Sequence, residues 1–262
     1  MTFSRFLRTP KGLALIVLGL LTILAAAGEG FALVAPGIAG AVIPAMLIDA
    51  MILRRIKGKW VFPDGALLTG LIVAMILSPR EPWYVTAVTA GIGVLSKYVV
   101  RVRTANVFNP AALALVATFY VFNTAQSWWG ALPEISPLAL AVLFATGAFM
   151  AYKVNKVPAV LAFLGAYYAL ATITAFAGDP RRVAELYRAP DLNAALYFAF
   201  FMVTDPPTSP PRHRDQLVFG VIVATASYAA FELIGAAYFL LAGLLVANAW
   251  EGWRRARARA RR

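Results

Sequence analysis

The 262-residue sequence has no cysteine and a single histidine, His213. Without thiols there is no disulfide, no Cys-ligated iron–sulfur cluster and no thiol nucleophile. With one imidazole there is no bis-His haem and no His-rich metal site. Charge is also scarce. Asp, Glu, Lys and Arg make up 14% of residues, against about 25% in an ordinary soluble domain. Acids are the rarer sign, 12 against 24 Lys plus Arg. The period-two alternation of a transmembrane β-barrel is missing too.

What remains is apolar and comes in long blocks. Hydrophobic residues are 61% of the chain and the mean hydropathy is +0.74. Ten segments stand out, at approximately 12–28, 32–53, 65–78, 83–100, 110–125, 136–152, 157–177, 192–204, 216–234 and 236–252. This is the pattern of an all-α polytopic membrane protein. A net charge of +12 suggests nucleic acid until its distribution is considered. The cations sit in short clusters between apolar blocks, where topology signals belong.

Threading ten spans sorts those clusters by side. One side receives Arg5, Arg8 and Lys11, then Arg54, Arg55, Lys57 and Lys59, then Lys97, Arg101 and Arg103. Lys153, Lys156, Arg212, Arg214 and six C-terminal arginines join them. Only Arg80, Arg181, Arg182 and Arg188 fall on the other side. The asymmetry predicts ten spans in an inner, cytoplasmic membrane with both termini cytoplasmic. The first thirty residues resemble a signal peptide, with Arg5, Arg8 and Lys11 before a run ending in Ala25-Ala26-Ala27. The alternation of charge holds only if that run stays as the first span.

The chain also repeats itself at a spacing of 127 residues. Pro63-Asp64 opens a short apolar run that ends at Ser78-Pro79, and Pro190-Asp191 opens another that ends at Asp205-Pro206. About 14 residues of helix cover roughly 21 Å, less than a hydrocarbon core of about 30 Å. Paired, interrupted hydrophobic segments at matching positions point to a midplane site in a repeat-built membrane protein. Repeat one is read over approximately 12–125 and repeat two over approximately 136–252, with a basic tail at 253–262. Five spans per repeat is odd, so the halves must be inverted.

Four elements carry polar groups into this apolar chain. Asp64-Gly65-Ala66-Leu67-Leu68-Thr69-Gly70 starts the third span, where an acid caps or favours a helix N-terminus. Phe108-Asn109-Pro110 reads as an N-cap before a proline at the first helical position. Its amide also suits the edge of a planar ligand. Phe200-Phe201-Met202-Val203-Thr204-Asp205-Pro206 closes the eighth span with an acid that needs cations, backbone donors or water. Asp205 either ties down the helix break or binds an ion or a cofactor edge. The Trp128-Trp129 pair marks a lipid interface, and Asp49 sits before a basic cluster as a second candidate for ion coupling.

These strings resemble the RnfD and NqrB family, the membrane components of Rnf- and Nqr-type ion-translocating electron-transport oxidoreductases. The likeness rests on Asp64–Gly70, Phe108-Asn109-Pro110-Ala111 and Phe201–Pro210 in combination, and runs from about Asp49 to about Asn248. It implies two inverted five-helix repeats in a urea-channel-like fold, with FMN or riboflavin as cofactor. It also implies partner subunits, coupled cation movement, and a redox subunit rather than a self-sufficient enzyme. Mapped onto this chain, Asp64, Thr69, Phe108, Asn109, Phe201, Thr204 and Asp205 become candidate flavin ligands. The family attaches FMN to a Thr in a string like Ser-Gly-Ala-Thr-Pro-Leu; this chain has Glu134-Ile135-Ser136-Pro137-Leu138, leaving Ser136 as the one candidate covalent anchor. An approach to Asn109 rich in glycine is replaced by Arg101–Asn106, and the loops are short. The same scaffold also suits a pore for a small polar solute, or an accessory protein with neither cofactor nor transport.

Overall fold

Proline and glycine mark where the helices begin and end. The structure, a computed structural model, describes residue 6 and residues 8–102, 105–132, 137–178 and 180–260. Helix α1 (Pro10–Glu29) starts on Thr9, whose Oγ1 accepts from the Gly12 amide at 3.1 Å. Helix α2 (Phe31–Lys57) contains Pro36 and Pro44 and stops at Gly58, which takes the left-handed conformation (φ 67°) open to glycine. Then come α3 (Asp64–Ile76), α4 (Trp83–Val99), a two-residue antiparallel ladder (Arg101–Val102 with Ala105–Asn106) and α5 (Pro110–Phe122). A 3₁₀ turn (Trp129–Ala131) precedes α6 (Pro137–Lys153), α7 (Val157–Ala177) and the short α8 (Pro180–Glu185). Helices α9 (Asp191–Phe201), α10 (His213–Ala229, prolonged by a π turn at Ala230–Ile234) and α11 (Phe239–Ala260) complete the chain.

Every apolar segment anticipated from the sequence is helical. Four helices are long and apolar enough to cross a bilayer: Pro10–Glu29, Phe31–Lys57, Val157–Ala177 and His213–Ile234. Asp64–Ile76, Pro110–Phe122 and Leu138–Lys153 are apolar but shorter. Large apolar side chains such as Ile23, Met51, Leu161 and Ile173 lie more than half exposed, as lipid-facing residues do. The protein is an all-helical, multi-pass membrane protein.

The helices recur in order. Pro10 and Pro137, Phe31 and Val157, Asp64 and Asp191, Trp83 and His213, and Pro110 and Phe239 start corresponding helices, each pair 126 to 130 residues apart. Packing follows the same plan: α2 lies on α4 as α7 lies on α10, and α4 meets α5 as α10 meets α11. Small residues set these approaches. A Cβ at Gly40 in α2 would come within 2.5 Å of the Trp83 carbonyl, and one at Gly70 in α3 within 3.0 Å of the Ala41 carbonyl.

Two expectations need correction. Trp128 and Trp129 are not at a lipid interface: both are buried, because they close the end of α3. Pro63, not Asp64, occupies the N-cap of α3; Asp64 is its first helical residue and pairs with Lys11 at 3.0 Å. The basic stretch from 253 continues the last helix, since α11 runs through Trp253 to Ala260. Arg and Ala are strong helix formers, and cations suit a helix C-terminus.

Gly220 makes the α7–α10 packing testable. A Cβ there would lie 2.5 Å from the Ala159 carbonyl and 2.9 Å from the Phe163 amide, and backbone atoms cannot swing away. Gly220→Val should destabilise the protein by about 1–3 kcal/mol, read as a lowered melting temperature in detergent. Gly19→Ala, where an added Cβ meets nothing within 4 Å, should leave it unchanged or raise it.

Candidate functional site

A helix that stops in a buried part of the protein leaves carbonyls that water cannot reach, so the protein must supply donors. At the end of α3, the indole Nε1 of Trp129 donates to the Ala74 carbonyl at 2.6 Å. The Ser127 and Trp128 amides donate to the Ile76 carbonyl at 3.0 and 3.1 Å. The Ser78 amide reaches the Ala125 carbonyl, and Glu81 Oε1 accepts from the Ala125 amide at 2.7 Å. The loop after α5 therefore seals the first break.

The second break is held differently. After Phe201 the chain turns on Asp205: the Ser209 amide and Oγ both donate to its carbonyl, and Thr208 Oγ1 donates to Oδ2 at 2.7 Å. Thr204 Oγ1 donates back to the Phe200 carbonyl at 2.5 Å. The carbonyls that follow go to cations and an amide. Arg255 donates to Pro207 and Ser209, and Lys156 to Ser209 and Pro210. Asn248 Nδ2 donates to the Thr208 carbonyl at 3.2 Å. Lys156 lies in the turn between α6 and α7. Burial, with Arg255 close by, lowers its pKa to about 8.

Asn248 also reaches across to the other half. Its Oδ1 accepts from the Asn109 amide at 2.8 Å. Asn109 in turn caps α5, its Oδ1 accepting from the Ala112 amide at 3.1 Å. One buried side chain on α11 thus fastens the start of α5 to the Thr208 turn.

Between these two loops lies a cavity of about 830 Å³, in the size range of small-molecule sites. Leu18, Leu68, Ile72, Met150, Phe200 and Phe201 form apolar walls, and Lys11, Asp64, Lys97, Asn109, Thr204 and Asp205 bring polar groups. Lys97 Nζ donates to the Gly65 carbonyl at 2.7 Å. The start of α3 and the end of α9 both border the cavity, as do the start of α1 and the end of α6.

Of the residues singled out from sequence, the cavity gathers Asp64, Asn109, Phe201, Thr204 and Asp205. Thr69 lies apart, buried with its hydroxyl on the Gly65 carbonyl and its methyl facing Gly93. Phe108 is half-buried beside the cavity but not in its lining. Asp49 is buried elsewhere, accepting from the Tyr98 hydroxyl at 2.5 Å. Ser136 lies outside the described residues. Sequence reasoning passed over Lys97, Lys156, Asn248 and Arg255. Lys97, Lys156 and Arg255 were counted as topology signals, and nothing local distinguishes Asn248 from another polar residue in an apolar run.

Apolar helices around a ligand-sized cavity, bordered by the start of α3 and the end of α9, define a polytopic membrane protein with an internal chamber. The chain matches the NQR2, RnfD, RnfE family over residues 10–137 and 130–239, most of its length, and belongs to that family. A stretch of 93 residues is 31% identical to the D component of the ion-translocating oxidoreductase complex of Aliivibrio salmonicida (strain LFI1238). The match covers 34% of this chain and 26% of that relative.

The Asn248 clamp predicts a large penalty for its loss. Asn248→Leu strands the Asn109 amide and removes a donor from the Thr208 carbonyl, at about 1–3 kcal/mol for each group left unpaired in the interior. The melting temperature in detergent should fall accordingly. Asn248→Asp, which keeps the acceptor for Asn109, should be milder.

Proposed function

We propose that this protein is the membrane subunit of an ion-translocating electron-transport complex and that its central cavity holds a flavin. The single observation that carries the proposal is the convergence of Asp64, Asn109, Phe201, Thr204 and Asp205, distant in sequence, on one cavity. Membership of the NQR2, RnfD, RnfE family and the complex named for the Aliivibrio relative point the same way.

The lining suits the group. A flavin supplies the redox chemistry; the protein supplies position and electrostatics. Phe200, Phe201, Leu68 and Ile72 offer a flat apolar slot. The Asn109 amide donates and accepts at a ring edge. Lys97 and Lys11 favour added negative charge, while Asp205 and Asp64 favour a cation beside it. Asp205 is therefore the residue proposed to couple a cation to charge in the cavity, and buried Asp49 is the second candidate. The lining can retain a flavin without a covalent bond, and Ser136, next to the start of α6 whose other end borders the cavity, is the candidate anchor for a flavin held outside it.

The proposed scaffold is two five-helix repeats of opposite orientation. Its support is the order of ends at the cavity. Helix α1 meets it with its first residues and its counterpart α6 with its last, and α3 and α9 differ in the same way. With the cation-rich loops on the inside, the cavity opens toward the cytoplasm of an inner-membrane protein, within reach of partner subunits.

The test uses the full chain purified in mild detergent. Its visible spectrum should show a flavin band near about 450 nm, and acid precipitation should release the colour to the supernatant. Colour kept in the pellet and abolished by Ser136→Ala would establish a covalent anchor instead. Asn109→Ala and Asp205→Asn should each weaken flavin retention roughly tenfold, equivalent to about 1.4 kcal/mol. A colourless protein that passes small polar solutes in liposomes would replace this reading with that of a pore.

A further inference from the structure

Away from the central cavity, the C-terminal end of α11 and the start of α10 enclose a second pocket of about 540 Å³. It is lined by Arg212, Asp215, Glu251, Trp253, Arg254, Arg255 and Arg257, among others. Its two acids are already engaged. Asp215 pairs with Arg254, whose Nη2 donates to Oδ2 at 2.7 Å. Glu251 pairs with Arg255 at 2.8 Å and Arg254 at 3.1 Å. Arg255 is further committed to the Pro207 and Ser209 carbonyls. Arg212 and Arg257 form no ion pair among the described residues, and Arg257 stacks over the Trp253 ring at 3.8 Å. Arg212 also faces Asp215, but neither its guanidinium nor that of Arg257 is held in a salt bridge among the described residues, and their planar donors match phosphate oxygens.

The surroundings say what kind of phosphate. Helix α10 leaves the pocket and α11 arrives at it, so residues deeper in each helix lie toward the bilayer interior. On α10 these are Leu217, Val218 and Val221, and on α11 Val246, all between 44% and 53% exposed. Val246, Trp250, Trp253 and Arg257 follow one face of α11 at helical spacing. The order along that face is aliphatic, then indole, then cation, the order of acyl chain, interface and headgroup across a leaflet.

We propose that this pocket seats the phosphodiester headgroup of an anionic phospholipid. Arg212 and Arg257 hold the phosphate, Trp253 lies at the glycerol level, and the acyl chains run over Val246, Leu217, Val218 and Val221. The site is separate from the flavin reading and stands without it.

The experiment measures the melting temperature of the full chain in neutral detergent against added short-chain phosphatidylglycerol, phosphatidylcholine or inorganic phosphate. Phosphatidylglycerol should stabilise at concentrations roughly tenfold or more below phosphatidylcholine, as two interfacial cations at about 1 kcal/mol each imply. Inorganic phosphate at the same concentrations should do little. R212Q/R257Q should abolish the preference, whereas R214Q, which removes a cation outside the pocket lining, should keep it. Equal effects of the two lipids, a phosphate effect matching phosphatidylglycerol, or an R214Q loss as large as that of the double variant would each overturn the proposal.

Discussion

The structure depends on one constraint: backbone carbonyls released in a buried, apolar interior must find donors. Helix α3 stops at Ile76 and α9 at Phe201, so both release such groups. Trp129 and the Ser127 and Trp128 amides answer those of α3, Thr204 answers Phe200 at the end of α9, and Asn248, Lys156 and Arg255 hold the carbonyls of the 207–210 turn that follows. Without these partners neither helix end is tolerable, and the end of α9, whose Phe201, Thr204 and Asp205 line the chamber, loses its place. The end of α9 and the start of α3 thus border interior volume in an otherwise close-packed bundle.

The halves solve the same problem with different chemistry. The first break is sealed by an indole and by loop amides, in surroundings that also bury Trp128 against Tyr197 and Phe198. The second is sealed by a guanidinium, an ammonium and a carboxamide. Neutral donors make one break inert. Charged donors place positive groups around the segment that carries Asp205, where an acid can sit beside the apolar chamber. The helical plan is shared between the halves, but the electrostatics are not.

Much of this was legible in the sequence. The ten apolar blocks, the 127-residue spacing and the short third and eighth segments all depend on local hydrophobic pattern and on proline, which act over a few residues. Asp64, Asn109, Thr204 and Asp205 were visible because a polar group beside a helix terminus stands out in an apolar chain. The clamps were not legible. Asn248 lies 139 residues from Asn109, and its role exists only once α11 is packed. Trp129 was misplaced because an indole serves a lipid interface and a buried carbonyl equally well; only the position of the break decides between them. Lys97 and Lys156 were obscured by the topology rule, which treats each lysine as a count rather than as a donor.

Helix α11 carries Asn248, fastened to the α5 start, and nine residues later Arg257 at the protein surface. Those residues span roughly 13 Å of unbroken helix at 1.5 Å per residue. A rod of that stiffness has no joint in which to absorb a displacement. Tilting or sliding its outer end must therefore carry Asn248, and with it both the Asn109 corner and the Thr208 turn. The final helix is a lever whose short arm rests on the chamber wall.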